Sequence, residues 1–196
     1  MNLPNKLTIG RILLVPLFVA ALIIDFPLHH SAALVLFIAA SLTDLFDGKI
    51  ARERNLVTDF GKFADPLADK ILVLAALLCF VQNGLCDCIA VIIVLFREFS
   101  VTSIRLIAAS KGKVVAANMW GKVKTVTQMI AIISVLVMQT FLDINSLFGL
   151  LSVDITSAIS TVFIIAGGVL IWISTAFAII SGIIYIKQNY HFISDM

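Results

Sequence analysis

The sequence predicts an all-α fold: a polytopic membrane protein with six transmembrane helices and both termini in the cytoplasm. Of its 196 residues, 61% are hydrophobic and only 13% are charged, a balance that excludes a water-soluble globule and a disordered chain. The apolar residues fall into runs of about 20, the length at which a helix spans a bilayer. Lysine and arginine are concentrated in alternate connections between these runs.

The first apolar run, 8–26, is longer than the core of a typical signal peptide and has no clear small-residue cleavage site. We therefore expect it to stay attached as the first helix. The other five predicted helices are 31–52, 61–83, 88–110, 122–141 and 159–186. No linker long enough to separate two domains interrupts them, so residues 1–196 are predicted to form a single membrane domain.

The cations set the predicted orientation, because positively charged loops tend to stay in the cytoplasm. Most of them flank the first run, the second and fourth connections, and the end of the last run: Lys6, Arg11, Lys49, Arg52, Arg54, Lys62, Lys111, Lys113, Lys122, Lys124 and Lys187. The connections near residues 27–30, 84–87 and 142–158 contain no lysine or arginine. Both termini and the loops on their side are therefore expected on the cytoplasmic face of the cytoplasmic (inner) membrane.

Four aspartates lie inside the predicted second and third helices: Asp44, Asp47, Asp65 and Asp69. A charge near the bilayer centre costs on the order of 2.5–3.5 kcal/mol on insertion scales, so four of them indicate a function. Spacings of three and four residues place each pair on one helix face, roughly 7–12 Å from the cytoplasmic helix ends. Carboxylates gathered there need counter-charge, and an all-oxygen ligand set favours two hard ions, Mg²⁺ or Mn²⁺. Such a pair of ions can clamp a displacement at phosphorus.

Three more residues of this stretch suit a phosphate-bearing ligand. Gly48 and Gly61 lack side chains, which would let a bulky ligand approach the backbone. Arg52 carries a planar fork that binds oxyanions in a bidentate manner. The sequence therefore predicts a phosphoryl-transfer site. The alternative for carboxylates inside the membrane is an ion or proton pathway, in which case the chain would be a non-enzymatic ion carrier or an assembly subunit.

The stretch from Asp44 to Asp69 reads D-x2-D-G-x2-A-R-x8-G-x3-D-x3-D, and it resembles the motif of the CDP-alcohol phosphatidyltransferase family at every fixed position. The resemblance implies attack of an alcohol hydroxyl on the lipid-bearing phosphorus of CDP-diacylglycerol, with CMP leaving. It implies that Asp69 completes the metal site and acts as the general base. The other implied metal ligands are Asp44, Asp47 and Asp65. The residues implied to face the CDP moiety are Gly48, Arg52 and Gly61.

Three further segments, 5–11, 97–105 and 121–128, are similar to the bacterial branch of that family, which uses glycerol 3-phosphate as the acceptor. By this resemblance Asn5 and Thr8 contact CDP-diacylglycerol, although a helix cap also explains Asn5. A dianionic acceptor needs several cations, and the candidates are Arg105, Lys122, Lys124 and Arg97, of which Arg105 and Lys122 are favoured. Other acceptors, such as inositol phosphate, serine or an amino alcohol, stay open at this point. The resemblance also suggests a homodimer in membrane lipid, and no nucleic-acid partner is expected.

Two of these assignments have structural alternatives. Lys122 and Lys124 could act only as topology determinants or contacts to anionic lipid. Arg97 and Glu98 could form a structural ion pair, or Glu98 could neutralise a cation of another helix. Among the remaining polar residues, His29, His30 and His191 are predicted to be solvated rather than ligands, and Tyr185 is expected in the interfacial belt.

Overall fold

A computed structural model describes residues 3–53, 59–113 and 118–190, and within these ranges it leaves out the side chains of residues 3–7, 44–53, 59–66 and 69. The described residues form six helices and no strand, which confirms the predicted all-α fold. In chain order these are α1 (Leu3–Ile23), α2 (His29–Glu53), α3 (Asp59–Gln82), α4 (Cys88–Ser110), α5 (Met119–Phe148) and α6 (Val153–Gln188).

The largest difference from the prediction lies between α5 and α6. The predicted connection at 142–158 is wrong, because α5 continues to Phe148 and α6 begins at Val153. Gly149 ends α5 in the left-handed conformation, with φ of 61°, which glycine adopts without strain. The buried Asn145 side chain then ties the turn together, since it accepts from Leu151 N at 2.9 Å and donates to Thr156 Oγ1 at 2.8 Å.

The short connection between α3 and α4 contains Cys86, and Cys88 is the first residue of α4. Asp87 caps that helix, because its side chain accepts from Ile89 N at 2.9 Å. Burial raises the pKa of the Cys86 thiol to about 11, and the neighbouring Asp87 and Cys88 add to the shift. Both thiols are free, as is that of the buried Cys79.

The packing places α1 against α2 and α3, α2 against α5, and α6 against both α5 and α4. Phe18, Phe37 and Phe80 are fully buried in the core, with the Phe18 and Phe37 rings 5.6 Å apart. Helices α5 and α6 approach closely at Gly167, where a Cβ atom would lie 3.0 Å from Val135 Cγ2. Small residues of this kind allow close helix contact inside a membrane.

Within the described residues, two helices are long and apolar enough to cross a membrane. They are α5, with 30 residues, and α6, with 36 residues, and an 18-residue stretch of each has a mean hydropathy of 1.8 and 2.4, respectively. Shorter apolar stretches occur at Thr8–Ile23, His29–Thr43 and Lys70–Gln82. Large apolar side chains such as Phe96 and Phe99 are exposed on α4, as expected for a surface that contacts lipid. Six spans and their orientation stay predictions.

Candidate functional site

The four aspartates of the motif lie on two helices that pack against each other. Asp44 and Asp47 are nine and six residues before the end of α2 at Glu53, and Asp65 and Asp69 are six and ten residues after the start of α3 at Asp59. At 1.5 Å per residue, both pairs are about 9–15 Å from the same end of the bundle. The backbone therefore agrees with the predicted common depth.

The side chains of the aspartate motif lie outside the described residues, so its metal geometry stays a prediction. This applies to the predicted ligands and nucleotide contacts on α2 and α3: Asp44, Asp47, Gly48, Arg52, Gly61, Asp65 and Asp69. The side chain of Asn5 is likewise outside the description. Thr8 and Arg11 are described, and both are 1% exposed. They share the face of α1 that is buried in the bundle, and α1 packs against the two helices that carry the motif.

Glu98 is the centre of a group of charged side chains from three helices, which we call the Glu98 cluster: Glu98, Arg97, Lys124 and Lys70. Glu98 Oε1 accepts from Arg97 Nη1 and from Lys124 Nζ, both at 2.7 Å. Its Oε2 lies 3.8 Å from Lys70 Nζ, and Lys70 also donates to Thr102 Oγ1. The sequence left two partners open for Glu98, its neighbour Arg97 or a cation of another helix. In the structure Glu98 pairs with Arg97 and also with cations of other helices.

The Glu98 cluster carries more positive than negative charge. Three cations and one carboxylate leave a net charge of +2, on side chains that are between 7% and 30% exposed. Lys70 is the residue that follows Asp69 on α3, so the cluster directly adjoins the last aspartate of the motif. An excess of cations in a partly desolvated place favours binding of an anion there.

Further donors surround Arg97. Its Nη2 donates to Ser181 Oγ at 2.5 Å, and its aliphatic stem packs on Gly182 of α6, where a Cβ atom would lie 3.0 Å from Arg97 Cγ. On α4 and α5, three buried nitrogen atoms have no hydrogen-bond acceptor within the described part of the chain: Arg97 Nε, Asn118 Nδ2 and Gln128 Nε2. Asn118 caps α5, and Gln128 is one turn beyond Lys124 on the same face. Buried donors without a partner are costly, so a bound oxyanion that accepts from them would be stabilising.

Arg105 lies two turns after Glu98 on α4 and does not contact the cluster directly. Its Nε donates to Tyr185 OH at 3.2 Å, and its guanidinium lies 5.5 Å from the centre of the Tyr185 ring. Tyr185 is only 2% exposed, so its ring packs inside the bundle, and its place at the depth of the interfacial belt stays a prediction. Its hydroxyl accepts from Arg105, and the residue is buried in an apolar group with Val101 and Ile104.

The two lysines at the start of α5 have different surroundings. Lys124 is buried and is bonded to Glu98, whereas Lys122 is exposed in the first turn of the helix. Two residues correspond to a rotation of roughly 200° around a helix, so the two side chains leave it on opposite sides. The structure thus brings Arg97 and Lys124 together and leaves Lys122 outside the cluster.

Sequence reasoning did not assign a role to Lys70, Ser181 or Gln128. Lys70 was conspicuous as a cation inside an apolar run, but its partners are on another helix and sequence spacing does not identify them. Ser181, Gly182 and Tyr185 form a small and polar stripe on the otherwise apolar α6. That stripe was the sequence signal for a polar contact on α6, because a helix that only faces lipid and apolar neighbours does not need polar residues on one side.

At the other end of the bundle, the prediction that His29 and His30 are solvated is wrong. Both are largely buried at the start of α2. His30 N donates to Asp143 Oδ2 and His30 Nδ1 to Asp143 Oδ1, each at 2.9 Å. Asp143 is 113 residues away, on the part of α5 that was predicted to be a loop. Because the fifth helix was predicted to end at residue 141, Asp143 was placed in a loop and this contact was not predicted. His191 lies outside the described residues.

Comparison with known proteins identifies the family. The profile of the CDP-alcohol phosphatidyltransferase family matches residues 1–186. The chain is 41% identical to the CDP-diacylglycerol–glycerol-3-phosphate 3-phosphatidyltransferase of Bacillus subtilis, over 96% of this chain and 95% of that protein. It is 37% identical to the protein of the same name from Rickettsia felis, over 95% and 94% of the two chains. A probable phosphatidylglycerophosphate synthase of Mycobacterium tuberculosis is 42% identical over 67% of this chain and 64% of its own length. Together with its apolar helices, these matches show that the chain is a membrane protein that belongs to the CDP-alcohol phosphatidyltransferase family.

Proposed function

We propose that the protein transfers a phosphatidyl group from CDP-diacylglycerol to glycerol 3-phosphate, giving phosphatidylglycerophosphate and CMP in phospholipid biosynthesis. Relatives named for this reaction match almost the whole chain. The structural observation that supports a phosphorylated acceptor is the Glu98 cluster, whose net charge of +2 adjoins the aspartate motif. A phosphorylated acceptor matches that charge, whereas serine or an amino alcohol does not.

The aspartate motif fits two Mg²⁺ or Mn²⁺ ions by the chemistry of its donors. Four carboxylates on packed helices, at similar distances from one end of the bundle, form a hard, all-oxygen set that needs cationic compensation. We assign Asp44, Asp47, Asp65 and Asp69 as the residues that would hold the ions. When bound, such ions would withdraw charge from the phosphoryl oxygens and stabilise the leaving CMP.

The chain's own groups divide the remaining work between the two substrates. Gly48, Arg52 and Gly61 are assigned to CDP-diacylglycerol, with Asn5 and Thr8 on the adjoining α1. Arg97 and Lys124 are assigned to the acceptor phosphate, supported by the nearby donors that have no acceptor in the described part of the chain. Asp69 is the proposed base that removes the hydroxyl proton as the acceptor oxygen attacks phosphorus. Lys70 lies between the aspartate motif and the Glu98 cluster, since it follows Asp69 in the chain and lies beside Glu98.

Arg105 and Lys122 are assigned to a more peripheral place on the acceptor's route. Arg105 is held by Tyr185 at the cytoplasmic side of the Glu98 cluster, and Lys122 is exposed near the start of α5. Exposed cations at such positions attract an anionic substrate over a distance, with an effect that salt weakens.

The proposed topology has six spans, both termini in the cytoplasm and the active site facing the cytoplasm from the inner membrane. The connections at 54–58 and 111–118 carry Arg54, Lys111 and Lys113. Those at 24–28, 83–87 and 149–152 carry no lysine or arginine. This alternation supports the orientation. A homodimer stays part of the proposal by family resemblance.

A transfer assay tests the proposal directly. Purified protein in detergent is given labelled CDP-diacylglycerol and Mg²⁺ with glycerol 3-phosphate, glycerol, serine or inositol phosphate, and CMP release and lipid product are measured. We expect transfer to glycerol 3-phosphate, loss of transfer with a chelator, and recovery with Mg²⁺ or Mn²⁺. Preference for another acceptor would overturn the assignment of glycerol 3-phosphate. Full activity in the chelator would overturn the metal site.

A further inference from the structure

The end of the bundle opposite the aspartate motif contains a second group of ligand-type side chains: His29, His30 and Asp143. Each offers one ligand atom, and these atoms all lie within 4.8 Å of one another. His29 and Asp44 are 15 residues apart on α2, so this group is about 22 Å along the helix from the motif. It plays no part in the proposed phosphatidyl transfer.

The imidazole of His29 is held in the tautomer that a metal ligand needs. Its Nδ1 is 3.1 Å from the carbonyl oxygen of Ala21 on α1. A carbonyl oxygen only accepts hydrogen bonds, so Nδ1 carries the proton and Nε2 carries the free lone pair. A backbone carbonyl that fixes the ring in this way is the usual support of a metal-binding histidine. Nε2 faces two carboxylates, with Asp143 Oδ1 and Asp25 Oδ1 each at 4.0 Å.

The second histidine and the carboxylate are oriented by the backbone. Leu28, with φ of 62°, adopts the left-handed conformation immediately before the two histidines. His30 N then donates to Asp143 Oδ2 at 2.9 Å, which leaves Oδ1 directed at His30 Nδ1, also at 2.9 Å. The two imidazole rings lie with their centres 3.9 Å apart. Three ligand atoms from two helices are thus brought together before any ion binds.

The distances suit a small tetrahedral ion. With metal–ligand bonds of about 2.0–2.1 Å, ligand atoms around such an ion are about 3.3 Å apart, and the observed 2.9 and 4.0 Å lie on either side of that value. Two imidazoles with a carboxylate favour Zn²⁺ over the hard ions that the aspartate motif suits. A cavity of about 320 Å³, lined in part by Asp25, His29 and His30, gives access from outside.

We propose that His29, His30 and Asp143 form a Zn²⁺-type site that links the start of α2 to the end of α5, with the exposed Asp25 carboxylate as a fourth ligand. On binding, the ion takes the place of the proton on His30 Nδ1, and the neutral ring then carries its single proton on Nε2. The bonds formed are metal–nitrogen bonds to both rings and metal–oxygen bonds to the carboxylates. No oxidant or reductant is needed.

The test uses the full chain with Asp44→Asn and Asp65→Asn, which removes competing ions from the aspartate motif. Calorimetric titration with Zn²⁺ should give one ion per chain. His29→Ala or Asp143→Asn should weaken binding at least tenfold. Asp154→Asn, an exposed carboxylate at the same end of the bundle, should leave it unchanged.

Two results would overturn the proposal: no Zn²⁺ binding, or binding that neither His29→Ala nor Asp143→Asn weakens. A second measurement does not depend on whether these two variants fold. Co²⁺ added to the protein with His29, His30 and Asp143 unchanged should give the strong visible absorption of a four-coordinate ion. Zn²⁺ should then displace the Co²⁺ and abolish that absorption. Absence of that spectrum would show that His30 and Asp143 form only a hydrogen-bonded clamp between the helices.

Discussion

Replacing each lysine at the start of α5 with methionine is a sharp test of the acceptor site, because the two side chains are two residues apart in different surroundings. Lys124→Met removes a buried cation that lies 2.7 Å from Glu98, and Lys122→Met removes an exposed one. Methionine keeps most of the length and apolar character of lysine. The pair therefore compares loss of the same charge inside and outside the Glu98 cluster.

The expected magnitude follows from what each lysine contacts. A hydrogen bond to a charged group in a partly buried place is worth about 1.5–3 kcal/mol, which corresponds to a rise of about 10- to 150-fold in the KM for glycerol 3-phosphate. A surface substitution changes free energies by about 0.5 kcal/mol or less, so Lys122→Met should change that KM by about twofold. Glu98 keeps its 2.7 Å bond to Arg97 in Lys124→Met, so the protein should still fold.

Steady-state transfer assays with each substrate varied in turn measure the effect. Lys124→Met should raise the KM for glycerol 3-phosphate and leave that for CDP-diacylglycerol within about twofold. Lys187→Met, which removes an exposed cation at the end of α6, is the control for surface charge. Equal effects of Lys124→Met and Lys122→Met would refute the reasoning from burial. Equal effects on both substrates would show that Lys124 supports the fold or the nucleotide site.

Three further predictions concern other parts of the chain. Asp69→Asn should lower turnover by about 10²- to 10⁴-fold with little change in CDP-diacylglycerol binding, as measured by the transfer assay beside nucleotide titration, and retained turnover would exclude Asp69 as the base. Asn145→Ala removes two hydrogen bonds of the turn between α5 and α6 and should cost about 1–3 kcal/mol, seen as a lower Tm in detergent, and an unchanged Tm would contradict that role. Cys88, which is exposed, should react with maleimide well before Cys86, whose pKa of about 11 leaves a thiolate fraction on the order of 10⁻³ at pH 8. Faster labelling of Cys86 would contradict its burial.

Much of the fold could be predicted because lipid imposes a simple rule on the sequence. Apolar runs identify helices, and the predicted 88–110 coincides with α4. The same rule failed between α5 and α6, where Asp143 and Asn145 interrupt the apolar run although the helix continues. These polar residues make specific contacts, one with His30 and the other with the turn. Hydropathy registers that Asp143 and Asn145 are unfavourable in lipid, but it does not show which residues they contact.

The candidate site likewise has one part that could be predicted from the sequence and one part that could not. The aspartate motif is local, so its spacing in sequence already indicates helix faces and a metal-type ligand set. The Glu98 cluster is not local, because Lys70, Glu98 and Lys124 come from three different helices. Which cation meets which carboxylate depends on helix packing. From sequence, Arg105 and Lys122 were therefore favoured among the four candidate cations, whereas helix packing brings Arg97 and Lys124 together at Glu98.

The charges of the proposed site explain why the acceptor should carry a phosphate. Four aspartates and two divalent ions sum to zero, so the metal site has no net charge left for an acceptor. The Glu98 cluster beside it holds a net charge of +2, much of it on side chains that are mostly buried. A phosphate group contributes about −1.5 to −2 at neutral pH, which balances the cluster. Glycerol or serine entering the same place would leave the buried donors of Arg97, Asn118 and Gln128 unpaired, and the cost of those unmet hydrogen bonds is the physical basis of the acceptor preference.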